Sequence, residues 1–103
     1  MLYPMTENVL SYKYTDENGD IVEMHIWKVQ ESGSNPEGIS YSLVYVRNGK
    51  RIVGYDNEGH GRPGRNHHRH VHERTAPYDF VDMWKLVEDF AEDVDKIRRG
   101  VIQ

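Results

Sequence analysis

The last quarter of the chain carries the strongest constraint on the fold. Between Phe80 and Ile97 apolar residues recur at spacings of three and four: Phe80, Met83, Trp84, Val87, Phe90, Ala91, Val94 and Ile97. That period is one face of an α-helix. Asp79 in front of it is a good N-cap, with Asp82 three residues on. Arg98 and Arg99 suit the C-terminal end of a helix dipole, and Gly100 is a terminator. The pattern predicts a helix over 79–99. Each large residue of the stripe contributes about 1.5–3 kcal/mol when fully buried. No other apolar surface in the chain is as large, so this helix has to lie across whatever else folds, with Trp84 and Phe90 in the core. Glu88, Glu92 and Asp95 read as its solvated side.

What precedes the helix reads as strands over about 9–55. Val9 to Thr15 and Ile21 to Val29 alternate with period two and flank an Asn18-Gly19 turn. Glu31 to Gly38 is loop. Ile39 to Arg47 and Arg51 to Tyr55 flank a second Asn-Gly turn, Asn48-Gly49. Asn-Gly readily takes the positive φ angles of a tight hairpin, so 39–55 is the firmest hairpin in the chain. It leads into a His/Arg-rich loop and short strand at 56–74, the extended part running from His67 to Glu73 around Val71.

A chain of 103 residues is expected to form a single domain, 1–103, with one modest core. It has no cysteine, hence no disulfide, no thiolate metal site and no cysteine nucleophile. No apolar run reaches the roughly 18 residues a membrane span needs. The opening MLYPMTEN has neither a basic start nor an apolar block. The expectation is a cytoplasmic protein without a membrane partner.

The formal charge of −4 argues against a nucleic-acid binder only as an average. From Arg51 to Arg74 five arginines face three acids; from Asp79 to Lys96 seven acids face two lysines. Charge segregated in this way can turn one basic face to a polyanion. Five of the six histidines fall between His60 and His72, among Arg62, Arg65, Arg69 and Arg74.

That strip has three readings. In the first it does RNA chemistry. Histidine can take or give a proton near neutral pH, and arginine grips phosphate with a planar fork. His68 and His70 are the favoured acid and base, with His60 as a further candidate and Asp56 orienting an imidazole. Arg62, Arg65 and Arg69 are the phosphate contacts, Asn57 lies beside them, and Tyr55 or Tyr78 can stack on a base. In the second reading the alternation of a strand puts His68, His70 and His72 on one face, a start for a Zn²⁺ site, against which the neighbouring arginines count. In the third the strip is a solvated basic loop that docks a partner protein. His25, isolated on its strand, reads as an ordinary residue.

The order of motifs carries a likeness. A hairpin with an Asn-Gly turn is followed by Tyr55-Asp56-Asn57, a glycine- and histidine-rich loop, His68-Arg69-His70 and an amphipathic helix. Over roughly Gly38 to Gly100 this resembles the TumE-like family of small toxins from bacterial and archaeal toxin–antitoxin pairs. Gly61-Arg62-Pro63-Gly64-Arg65 departs from the family's pattern and leaves the alignment of His60 open. The resemblance implies a cytoplasmic toxin that impairs growth by acting on RNA or translation, restrained by a co-encoded helix-turn-helix antitoxin. It carries over to Asp56, Asn57, His60, His68, Arg69 and His70.

The expected fold is α+β: an antiparallel sheet of four to five strands with one long C-terminal amphipathic helix packed on one face. The expected function is that of a toxin acting on RNA, an endoribonuclease using His and Arg without a cofactor. The alternative is a non-catalytic module whose strip docks a protein or a zinc ion. With one sheet face or edge open, a homodimer is a further expectation.

Overall fold

The computed structural model describes residues 6–33, 35–57 and 67–101. It is an antiparallel meander of six strands in the order β1-β2-β3-β4-β5-β6, with one helix after it. The strands are β1 (Glu7–Thr15), β2 (Ile21–Lys28), β3 (Ile39–Arg47), β4 (Lys50–Asp56), β5 (His68–Val71) and β6 (Arg74–Pro77), and the helix is α1 (Met83–Arg98). The turns do what their sequences require. Asn48 and Gly49 both take positive φ, +53° and +74°, so the two-residue β3–β4 loop follows the right-handed twist of its strands. Between β1 and β2, Asp16 Oδ1 accepts the backbone N–H groups of Asn18 and Asp20.

Alternation sorts the sheet into two faces. Toward α1 point Ile26, Tyr41, Leu43, Tyr45, Val53 and Tyr55, all buried, where they meet Leu86, Phe90, Val94 and Ile97. A row across the opposite face runs, by cross-strand pairing, Ser11, His25, Ser42, Asp56, His68. The fold class is the expected one, with one strand more than the count of four to five. β6 escapes a pattern search because Arg-Thr-Ala-Pro has no apolar alternation and is exposed throughout. Its proline is tolerated because β6 is an edge strand.

The helix also differs from expectation. Its N-cap is Asp82, not Asp79: the Asp82 carboxylate accepts the Lys85 N–H at 2.8 Å. Phe80 stays outside because its ring is stacked on His67, centroids 4.9 Å apart, and close to Tyr41. Phe90 is core as expected, but Trp84 is 83% exposed. The buried face centres on Leu86, Phe90, Asp93 and Ile97, and at 100° per residue Trp84 lies roughly 160° from Leu86.

A carboxylate therefore sits in the middle of the buried face. Asp93 is 5% exposed. Arg69, reaching from β5 on the helix side of the sheet, donates from Nε at 2.7 Å and from Nη2 at 2.9 Å to its two oxygens. The Tyr55 hydroxyl donates to the same carboxylate. A second tie holds the far end: Tyr45 and Arg47 donate to Asp20, and Arg98 of α1 reaches Asp16 at 3.3 Å.

Candidate active site

Asp56, His68 and His70 come together on the face away from the helix. The β4–β5 register sets Asp56 opposite His68 and Gly54 opposite His70, so the three side chains rise from adjoining positions. His70 Nε2 lies 2.9 Å from Asp56 Oδ2. A carboxylate only accepts, so this nitrogen carries the proton and donates. His70 Nδ1 is then the acceptor for the Thr75 hydroxyl, 3.0 Å away on β6. His70 is thus held at both nitrogens. His68 is held at neither: its Nδ1 is 3.7 Å from Asp56 Oδ1, too far for a hydrogen bond and close enough for an ion pair once protonated. Its side chain is 26% exposed against 14% for His70. The ring centroids are 6.2 Å apart and the rings are tilted by 41°. One carboxylate thus serves two imidazoles, one fixed and one open to solvent.

The other expected site residues lie elsewhere. Arg69 points away from the histidines, on the helix face of the sheet, to Asp93, whose hydrogen bonds raise its pKa further, so it does not stand beside them as a phosphate contact would. Tyr55 is 2% exposed and lies under the helix, its hydroxyl pKa pushed up by burial and then by Asp93. No base can stack on it there. Tyr78 packs edge-on against Tyr55 and donates to Asp89. Asn57 does a strand's work. Its Oδ1 accepts the Tyr41 N–H and its Nδ2 donates to the Ile39 carbonyl, extending the β3 ladder beyond the end of β4.

His72 leaves the common face. Its φ of +53° turns the chain between β5 and β6, which breaks the alternation that would have aligned it with His68 and His70. Among the described residues no three His, Asp or Glu side chains are arranged to hold a metal ion. His60, Arg62 and Arg65 lie outside the described residues.

Sequence reasoning missed two contributors. Thr75 belongs to the strand that has no pattern. His67, read only as the start of the extended segment, joins Tyr41 and Glu37: the Glu37 carboxylate takes its Nε2–H at 2.7 Å and its Nδ1 accepts from the Tyr41 hydroxyl at 2.9 Å. This pins the entry to β5 and with it the position of His68. No signal short of the register pairs Glu37 with His67.

No helix among the described residues is long and apolar enough to cross a membrane. No curated protein and no solved structure matches the chain. A family does: the model described as Toxin TumE matches residues 3–98, nearly the whole length, including every strand, the Asp56–His68–His70 group and the helix. The chain belongs to the TumE toxin family.

Proposed function

We propose that this toxin acts on RNA, with Asp56, His68 and His70 as its acid–base group. The observation that carries the reading is the unequal treatment of the two imidazoles by one carboxylate. RNA strand cleavage needs a base for the 2′-hydroxyl and an acid for the leaving 5′-oxygen. His68, with its ring open to solvent, takes the 2′-OH proton. The 2′-oxygen then attacks phosphorus, the bond from phosphorus to the 5′-oxygen breaks, and a 2′,3′-cyclic phosphate remains. The 5′-oxygen receives a proton from the Thr75 hydroxyl, which is replaced from Nδ1 of protonated His70. Asp56 holds His70 in place and sits beside the charge that arrives on His68. Positioned acid–base catalysis of this kind contributes typically about 10²–10⁴-fold in rate.

In this reading Arg69, Tyr55 and Asn57 position the site through the sheet rather than touch RNA. The toxin works in the cytoplasm. Its restraining partner is a co-encoded antitoxin, since a toxin of a toxin–antitoxin pair requires one, and the family resemblance points to a helix-turn-helix protein for that partner.

Induced expression of wild type and of His68→Ala, with total RNA resolved on a gel, tests the reading. Growth arrest with fragmented RNA is expected for wild type, and neither for the variant at equal soluble yield. Arrest with intact RNA in the wild type overturns the cleavage step. A folded His68→Ala protein that is still fully toxic overturns the assignment of His68.

A further inference from the structure

Of the eleven lysines and arginines among the described residues six are paired with carboxylates, and three of the other five lie together in one place. Among the described residues Arg47, Arg69, Lys85, Lys96, Arg98 and Arg99 each lie within 4 Å of a carboxylate. Lys13, Lys28, Lys50, Arg51 and Arg74 do not. Lys13 and Lys28 are on the β1–β2 side of the sheet. The other three meet in a single open groove of about 700 Å³, lined by Lys50, Arg51, Ile52, His72, Glu73 and Arg74. Even with Glu73 in its wall the groove carries a surplus of two positive charges before His72 protonates.

The groove joins the candidate active site along β4. The β3–β4 register slips between Tyr45 and Val46, and this bulge re-aims Arg51. Its stem lies across Gly54: a Cβ built on Gly54 would be 2.8 Å from Arg51 Cδ and 3.3 Å from Nε. Gly54 is the cross-strand partner of His70 and shares a face with Asp56. The missing side chain of Gly54 is therefore the space through which Arg51 leans from the groove toward the histidine face. At about 3.3 Å per residue, the groove end of β4 and Asp56 are roughly 17–20 Å apart. That is a path for an extended chain, not for a small anion.

We infer that Lys50, Arg51 and Arg74 form a backbone-binding groove that receives the phosphodiester chain of single-stranded RNA as it leaves the Asp56–His68–His70 group. The inference rests on the RNA reading above and adds where the substrate runs. Unpaired cations in an open groove give affinity without base readout, and each phosphate contact on a single strand adds about 0.7 to the slope of log affinity against log salt. An acidic segment of a partner protein would also be drawn to these charges. RNA is favoured because Arg51 ties the groove to the histidine face.

The test measures binding of a short single-stranded RNA of mixed sequence across a range of salt, in a His68→Ala background so that the RNA is not cut. In that background Lys50→Ala/Arg51→Ala/Arg74→Ala should lose roughly tenfold or more in affinity at low salt, with the salt slope shallower by about 2. Lys13→Ala/Lys28→Ala, which removes two cations outside the groove that lie within 4 Å of no carboxylate among the described residues, should bind like its parent. The three groove residues have no side-chain partner among the described residues to lose, and an unchanged urea midpoint checks that the triple variant folds. If the parent binds RNA and the triple variant binds it equally, the groove assignment falls while the active-site reading stands. Loss of antitoxin binding alone, with RNA affinity intact, overturns it too, in favour of a protein dock. If the parent binds no RNA at all, both readings fall.

Discussion

The guanidinium of Arg69 and the carboxylate of Asp93 face each other in parallel, with hydrogen bonds of 2.7 and 2.9 Å, across the interface between sheet and helix. Asp93 is buried and takes a further bond from Tyr55, while the Arg69 side chain is 36% exposed. Removing one partner of such a pair strands the other charge. We expect Asp93→Ala to cost about 3 kcal/mol, toward the low end for buried pairs because Arg69 is partly hydrated. Arg69→Leu/Asp93→Leu should recover a large part of that loss, since neither variant side chain leaves a charge behind. Urea unfolding of the single and double variants measures both. A double variant no better than the single would mean that the pair does more than neutralise itself.

The helix offers a sharper contrast. Trp84 and Phe90 both fit the apolar period, yet one is 83% exposed and the other 2%. Phe90→Ala should destabilise by about 3–5 kcal/mol. Trp84→Ala should stay within about 0.5 kcal/mol. Thermal or urea unfolding of the two variants checks the orientation of α1 directly, because rotating the helix to bury Trp84 would reverse the order.

These two residues also show how far the sequence could be read. Asn48-Gly49 and the alternation on either side of it determine a hairpin from local chemistry alone, and β3 spans Ile39–Arg47 as expected. The helix is legible for the same reason, but its rotation is not. A stripe that counts Trp84 and Ala91 passes over Leu86, which is fully buried. What turns the helix is Asp93, and a buried aspartate makes sense only once Arg69 is known to lie opposite. That pairing is 24 residues apart in sequence and has no periodic trace. The candidate site divides in the same way. Alternation anticipates the shared face of His68 and His70, while Asp56 comes beside them only through the pairing of β4 with β5. Thr75 and the bulge that frees Arg51 depend on a patternless strand and a register slip.

Gly54 gives a test of the Arg51 geometry that leaves every charge in place. An alanine Cβ there would meet Arg51 Cδ at 2.8 Å, and only the flexible arginine stem has to give. Gly54→Ala should therefore change stability by no more than about 1 kcal/mol. If Arg51 contributes to RNA binding from its seat on Gly54, the same variant should weaken binding, though by less than Arg51→Ala. Titration of both variants with RNA settles the order. Arg51→Ala weaker than wild type with Gly54→Ala unchanged would mean that the arginine works from another position.

Acid should loosen the β1–β2 end of the molecule through Asp20. This carboxyl is held below its ordinary value by the Tyr45 hydroxyl, and also by Arg47, against the opposing effect of burial. The sign follows from linkage. A carboxyl with a folded pKa below its unfolded one binds protons more readily in the unfolded chain. It therefore contributes stability at neutral pH, and that contribution is lost as pH falls from about 4, the ordinary aspartate value, through the lower folded value. Asp20→Asn should remove the contribution at all pH values and flatten the acid limb of the stability curve. Urea midpoints of wild type and variant between neutrality and the lowest pH at which both fold are expected to converge on acidification. Parallel curves would show that Tyr45 and Arg47 do not favour the charged form of Asp20.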